Sequence, residues 1–343
     1  MLRYSCAVST LLRVHFESLT DRAVFHITEA RLAQLRAAHG EAFAGVQVSR
    51  GEDLAGIAGA LADAQVLVTS EFVLSHPRFP LRDLATAAPH LRWIHVTNAG
   101  IEKLLPLDWL PPAVTLTNSR GAHAIKAREY ATMTLLMLNT QLPRMAANQR
   151  QSKWEKVHTT AIAGKTLCVV GAGNLGEAFA HSARALGLRV IGVRRSGEAR
   201  PEFDRMFTPD RLLEALREAE FVAACVPLTP ETQGMFGERE FAAMKPDAGF
   251  VNVARGKVVD HDALRVALES GHLSGAVSDV FPVEPLPADS WIWGLPNFVM
   301  TPHVAMDDPE NFLMRCMDIA AGNLVRMRKG EGLRNVVDPV RGY

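Results

Sequence analysis

The sequence predicts an α/β protein built from two doubly wound, parallel-sheet domains. Three observations predict it. Short β-branched runs alternate with helical stretches through the first third of the chain, the pattern of a parallel sheet covered on both faces. After one long helical stretch the alternation begins again, with six further short runs. Between the first of those six and the helix behind it lies the glycine-rich turn Gly171-Ala172-Gly173-Asn174-Leu175-Gly176. A length of 343 residues suits two domains of moderate size better than one.

In chain order, strands are expected at 12–16, 46–49, 66–69, 91–96 and 114–117, with helices at 28–39 and 53–64 between them. A long helical pattern follows from His123 to about Arg150, with Tyr130, Met133, Leu135, Leu136 and Leu138 on a broad apolar side, and Pro143 is expected to kink or break it. The second series of strands is expected at 166–170, 189–193, 221–225, 249–253, 275–278 and 298–300. Six strands at this spacing match a doubly wound nucleotide-binding domain. One last helix is expected from about Asp307 to Lys329.

Bulk composition removes several function classes. Lys plus Arg and Asp plus Glu both number 37, so no strong field attracts nucleic acid or an anionic membrane. Cys6, Cys168, Cys225 and Cys316 are widely spaced, with no CxxC and no Cys/His cluster, which argues against a disulfide framework or a metal site and fits a reducing compartment. The segment 1–12 carries Arg3, but Ser5, Ser9 and Thr10 break its apolar run, so no targeting signal is expected there. The best apolar stretch, 131–138, is about two helical turns, too short to span a bilayer. The expected location is the cytoplasm.

A GxGxxG string alone is weak, but strand before and helix after give this one its meaning. Gly171 permits a tight turn, Gly173 lets a pyrophosphate approach the backbone, and Gly176 lets helix and strand pack closely. The helix beginning at Asn174 and Leu175 offers unpaired N–H groups to phosphates. Eighteen residues beyond Gly176, where an NAD enzyme wants a carboxylate for the ribose hydroxyls, stand Arg194, Arg195 and Ser196. Two guanidinium groups and a hydroxyl suit a 2′-phosphate, so NADP is the expected cofactor ahead of NAD; the alternative is that both arginines are solvated surface.

Three later segments end strands of the same domain with ionisable groups: Val253-Ala254-Arg255-Gly256, Asp279 through Glu284, and Thr301-Pro302-His303. Reduction of a 2-keto acid needs a cation for the carboxylate and ketone, which Arg255 supplies through its planar fork. It needs a proton donor, which His303 supplies. Glu284 would orient the imidazole and stabilise its charged form. Taken singly, each has an ordinary explanation as a surface ion pair, a loop acid or a strand-end histidine.

In this order behind the glycine turn, however, the chain resembles the D-isomer-specific 2-hydroxyacid dehydrogenases from about Asn118 to Ala305. Pro227-Leu228-Thr229-Pro230-Glu231-Thr232 matches the family's PLxxxT segment. Phe241 to Pro246, then Phe250 to Gly256, match its next block, continued by Val258-Val259-Asp260, Ala263-Leu264, Pro285-Leu286-Pro287 and Leu295-Pro296-Asn297. The resemblance implies a Rossmann domain at 121–305 inserted in a flavodoxin-like substrate domain made of 1–120 and 306–343. It implies a substrate carboxylate held by backbone N–H groups at Asn98, Ala99, Gly100 and Ile101. It implies a cofactor lined by Cys225, Val226, Pro227, Val253 and Ala254, with Asp279 accepting from the nicotinamide amide and His303 close by. Cys225 is read as a packed thiol, not a nucleophile. Residues 121–150 are expected to pack against a second copy in a twofold homodimer.

Departures from the family pattern narrow the substrate. The chain ends shortly after its last expected helix, so the regulatory domain of long phosphoglycerate dehydrogenases is not expected, and no arginine lies near 68–71 for a substrate phosphate. Ile101-Glu102-Lys103 replaces the family's usual asparagine or aspartate run. Trp291 and Trp293 either close the pocket over a small acid or pack between strands. A small 2-keto acid such as glyoxylate or hydroxypyruvate is the expected substrate. Two other readings use the same scaffold: a dinucleotide-sensing corepressor-like protein, and a formate- or phosphite-type dehydrogenase.

Overall fold

A computed structural model describes residues 11–339, so Cys6 and nearly all of the segment weighed as a targeting signal lie outside the described residues. The chain forms two compact units. One comprises the chain up to Ala122 and from Asp308 onward, and the other, His123–Asp307, is inserted in it.

In the first unit, β1 (Leu12–Ser18), β2 (Val46–Glu52), β3 (Val66–Thr69), β4 (Trp93–Val96) and β5 (Thr115–Asn118) form a parallel sheet in the order β2-β1-β3-β4-β5. This is the flavodoxin-like order. The inner strands β3 and β4 are buried at every position, as continuous apolar runs between two helical layers must be. Helix Glu29–Ala38 starts at Thr28, whose hydroxyl accepts from the Arg31 N–H at 3.2 Å. The helix expected from residue 53 begins only at Ile57 and runs to Asp63, because Asp53, Leu54 and Gly56 all take left-handed conformations before it. The last helix, Phe312–Arg328, returns to this unit. Its Leu313, Met317, Ala320 and Leu324 pack with Val14, Phe16, Leu35 and Trp93.

The second unit carries seven parallel strands: β6 (Thr166–Val170), β7 (Arg189–Val193), β8 (Arg205–Phe207), β9 (Phe221–Ala224), β10 (Ala248–Asn252), β11 (Leu273–Ser278) and β12 (Phe298–Met300). Their order is β12-β11-β10-β9-β6-β7-β8. The six-strand expectation is therefore corrected to seven. β8 pairs with β7 through Ile191↔Arg205 to Val193↔Phe207 and is only three residues long, too short to leave a period in the sequence. The expected single helix over 123–150 is two helices, Ala124–Asn139 and Leu142–Arg150. Gln141 turns left-handed between them, and Pro143 lies in the first turn of the second, where its missing N–H removes no hydrogen bond. Proline here starts a helix instead of kinking one.

The order reverses between β6 and β9, which are neighbours in space but not in sequence. In open α/β sheets the crevice beyond such a switch point receives ligands, and the glycine turn after β6 faces it. Among the described residues, no helix is long and apolar enough to cross a membrane. No group of three or more His, Cys, Asp or Glu side chains among them is placed to hold a metal ion.

Leu324 is fully buried in the first unit's core. Leu324→Ala should cost about 2–5 kcal/mol in chemical denaturation, the usual range for emptying such a site. A loss below ~0.5 kcal/mol, the range of surface substitutions, would mean that the last helix is not part of that core.

Candidate active site

The glycine turn is built from three different steric demands. Gly171 sits at φ +105°, and a Cβ there would lie 2.6 Å from the backbone carbonyl carbon of Cys225. A Cβ on Gly176 would meet the Gly171 carbonyl oxygen at 2.2 Å and Val169 Cγ1 at 2.8 Å, so the helix Asn174–Ala185 can press on β6 only with glycine at this position. Gly173 is the opposite case: nothing lies within 4 Å of its would-be Cβ. The open space is at the helix N-terminus, where the first-turn N–H groups of Asn174, Leu175 and Gly176 lack intrahelical acceptors. Glu177, the one acid in that turn, is paired with Arg200 at 3.3 Å. The residues present thus fit a dinucleotide pyrophosphate.

At the end of β7 the two arginines are not equivalent. The Arg194 N–H donates to Phe207 O at 3.0 Å, its side chain is 24% exposed, and its buried Nη1 has no hydrogen-bond partner. Arg195 is exposed and lies close enough to Glu231 for its charge to help hold that carboxyl below the usual range, after the larger contribution of the Thr229 side chain. Ser196 Oγ donates to the Glu198 carboxylate at 3.1 Å. Cys225, Val226 and Pro227 follow β9, directly against the glycine turn. Burial pushes the Cys225 thiol far up, which leaves it no thiolate for nucleophilic work. Thr232 of the PLxxxT segment closes its loop, its hydroxyl donating to Pro227 O at 2.6 Å and accepting from the Thr229 N–H at 2.8 Å.

The ionisable groups stand at the ends of β10, β11 and β12. At the end of β10, buried Asn252 accepts from the Ala254 N–H at 3.0 Å, and Val253 and Ala254 are buried. Arg255 Nη1 donates to Ala254 O at 2.7 Å. Gly256 has no room for a side chain. A Cβ would lie 1.9 Å from the Phe281 carbonyl carbon, so the Arg255 turn and the Phe281–Pro282 backbone touch directly. Glu284 then spans two groups: Oε1 accepts from the Phe281 N–H at 2.8 Å and Oε2 meets His303 Nδ1 at 2.7 Å.

His303 itself sits in a left-handed conformation, φ 54°, which few residues other than glycine adopt. Its neighbours hold it there. Its N–H donates to Asp279 O, while the Asp279 carboxylate accepts from the Thr301 hydroxyl at 2.6 Å, the Val304 N–H at 3.0 Å and the Ala305 N–H at 3.1 Å. Burial still dominates and raises the Asp279 carboxyl above its ordinary value, against the lowering effect of those donors. Thr301 is in turn bound by Tyr130 at 2.9 Å, and burial pushes that phenol up to about 12. The expected role of Asp279 at the nicotinamide amide is therefore joined by a structural one, as the clamp on the histidine segment. Gly256, Thr301 and Tyr130 were missed in sequence. The Arg-Gly pair was a readable signal of close approach; nothing marked Tyr130.

Of the two tryptophans, Trp291 lies under the Arg265 guanidinium at 4.7 Å and lines a shallow recess with Pro282, Val283 and Leu286. The Trp293 indole donates to Pro287 O at 2.8 Å. In the first unit, the loop after β4 is fixed from both sides: Asn98 Oδ1 accepts from the Glu71 N–H at 2.9 Å, and Ala99 O accepts from Asn118 Nδ2 at 2.8 Å. Ile101 is buried, and Gly100 is partly exposed. The Asn98 side chain is thereby used on the loop's own architecture.

The family model described as "D-isomer specific 2-hydroxyacid dehydrogenase, NAD binding domain" matches residues 132–305. The chain belongs to that family. A glyoxylate reductase of Korarchaeum cryptofilum is 33% identical to this dehydrogenase over 261 residues, 74% of the chain and 77% of the relative. A D-isomer specific 2-hydroxyacid dehydrogenase of Xanthobacter autotrophicus, solved with NADPH and MES, is 29% identical with a TM-score of 0.79, covering 98% of this chain and 100% of that one. An NADPH-dependent glyoxylate/hydroxypyruvate reductase of Sinorhizobium meliloti, solved with NADP and sulfate, is 26% identical with a TM-score of 0.73 over 97% and 100%. The expected family and α/β architecture are borne out, and this 2-hydroxyacid dehydrogenase is an oxidoreductase that uses a nicotinamide dinucleotide.

The thiols of buried Cys168 and Cys316 and of partly buried Cys225 generate a prediction. Burial holds Cys168 and Cys316 up at about 12 and Cys225 higher still. Iodoacetamide at pH 8 should leave all three unmodified in the native dehydrogenase and label them after denaturation, as read by peptide mass mapping. Rapid native labelling of Cys225 would contradict its placement.

Proposed function

We propose that the enzyme reduces a small 2-keto acid of the glyoxylate or hydroxypyruvate type to its D-2-hydroxy acid, with NADP(H) preferred. The observation that carries this reading is the 2.7 Å contact between Glu284 and His303 Nδ1. With Nδ1 engaged, Nε2 is left to give a proton to the ketone oxygen as it becomes an alkoxide. Glu284 fixes the ring and balances the imidazolium. Arg255 anchors the substrate carboxylate and polarises the ketone. In the first unit, backbone N–H groups at Asn98, Ala99, Gly100 and Ile101 supply further donors for a carboxylate. A bound nicotinamide dinucleotide supplies the hydride.

Cofactor preference rests on Arg194 and Ser196, with Arg195 beside them, in place of an acid. The NADPH and NADP held by the Xanthobacter and Sinorhizobium proteins support it. Val253, Ala254, Cys225, Val226 and Pro227 would line the ring and ribose, and Asp279 Oδ2, which accepts one backbone hydrogen bond, keeps capacity for the carboxamide. The free thiols of Cys168, Cys225 and Cys316 suit a reducing cytoplasm.

The test is a panel of 2-keto acids assayed with NADPH and NADH. Glyoxylate or hydroxypyruvate with NADPH should turn over fastest. His303→Ala should lower turnover about 10²-fold or more, and Arg255→Ala should damage KM and kcat together. Dinucleotide binding without turnover of any 2-keto acid would favour the corepressor-like alternative.

The same reading includes a homodimer. Ile125, Met133, Leu136 and Leu142 are exposed apolar side chains on the two helices of residues 124–150, and Trp154 beyond them is 94% exposed. Several exposed apolar side chains on one helical pair support a twofold interface. Sedimentation should give a dimer that Met133→Glu with Leu136→Glu converts to monomer; a monomeric wild type would refute it.

A further inference from the structure

Beyond β7 the chain supplies its own anion to the basic pair. Glu198 Oε2 lies 3.9 Å from Arg194 Nη1 and 3.1 Å from Ser196 Oγ, so one carboxylate oxygen faces both of the groups assigned above to a 2′-phosphate. The Glu198 N–H also donates to Ser196 Oγ, at 3.4 Å, which folds the short segment back on itself. The two contacts differ in kind. The one to Ser196 is a hydrogen bond, whereas 3.9 Å to Arg194 gives charge neutralisation without one. Arg194 Nη1 accordingly stays buried with a donor that no acceptor satisfies. An unpaired buried donor is costly to leave, and a guanidinium fork is completed best by a group with several acceptor oxygens. At 3.9 Å the carboxylate leaves that donor unsatisfied, and a phosphate with its several acceptor oxygens would satisfy it by closer approach.

The anchoring of the partners is unequal. Arg194 is pinned by its backbone bond to Phe207 O and mostly buried, but the Glu198 side chain is 73% exposed. Little holds the carboxylate in place, since exposed ion pairs contribute little. The charge of Arg195 also acts on Glu231.

We propose that Glu198 is a specificity-determining residue, its carboxylate standing on Arg194 and Ser196 where an adenosine 2′-phosphate would bind and having to be displaced before NADP(H) is seated. The inference rests on the NADP(H) reading above. It makes cofactor preference a contest between two anions for the same donors. NAD(H), which has no 2′-phosphate, leaves Glu198 where it is, and NADP(H) must move it. The preference of the wild type is therefore smaller than its basic residues alone would give.

Equilibrium titration of the purified protein with adenosine 2′,5′-bisphosphate and with adenosine 5′-monophosphate separates the terms, because these ligands differ only in the 2′-phosphate. Glu198→Gln should tighten the bisphosphate about two- to fivefold, the range expected for removing one exposed competing charge, and leave the monophosphate within error. Arg194→Ala should abolish the difference between the ligands. If Glu198→Gln leaves bisphosphate affinity unchanged or weakens it while Arg194→Ala still erases discrimination, the role of Glu198 is wrong and the NADP(H) reading survives. If neither wild type nor Glu198→Gln distinguishes the two ligands, both fail. Discrimination that emerges only in Glu198→Gln would support the competition in its strongest form.

Discussion

The buried carboxylate of Asp279 is the constraint on which the candidate catalytic face of the inserted unit depends. A carboxylate at 3% exposure must collect donors or carry a large desolvation cost. Asp279 collects a hydroxyl and two backbone N–H groups from one short stretch, residues 301–305. Meeting that demand folds the stretch tightly around the acid, and His303, in the middle, is driven into a left-handed conformation it would not choose alone. The result is an imidazole presented at a fixed position and met there by Glu284.

The remaining groups are tied to that position through backbone. Glu284 uses one oxygen to hold the Phe281 N–H and the other to hold the histidine. The Phe281–Pro282 backbone in turn lies against Gly256, next to Arg255. Arginine, glutamate and histidine therefore share a chain of contacts with no flexible link longer than a side chain. Such rigidity suits the proton donor proposed at His303, because small misplacements of a catalytic group are expensive. It also explains why the glycine after Arg255 is as necessary as the arginine: any side chain would part the two turns.

Much of this was legible before the fold was known. The inner strands read as continuous apolar runs because both of their faces are covered, and the glycine turn could be located because strand and helix flank it. Arg255, Glu284 and His303 were selected as candidates because chemistry and order together pointed to them, and Glu284 and His303 meet in the structure. Other features were silent for definite reasons. β8 is three residues long and has no room for a period. The break between the helices over 124–150 depends on Gln141 turning left-handed, which glutamine does not announce. The clamp by Asp279 and the Tyr130–Thr301 bond join residues 22 to 171 positions apart through a hydroxyl, backbone N–H groups and a phenol, and contacts of that kind follow no repeat.

The two halves of the proposed reaction site are thus encoded on different length scales. The proposed proton-transfer end draws on β10, β11, β12 and the helix Ala124–Asn139, and the contacts that hold its histidine segment span 19 to 171 residues. The end proposed for the adenosine ribose is written almost entirely within residues 194–198, where side chains four apart in sequence meet one another. A substitution among the long-range contacts disturbs several loops at once. One within the short segment changes only the charge offered to the ribose, because Arg194 is held by its own backbone and Glu198 is largely in solvent. On the proposed reading, cofactor preference on this scaffold would shift by single local steps while the proposed acid–base pair stays as it is, and the discriminating charges would include one, on Glu198, that does not itself hold the cofactor.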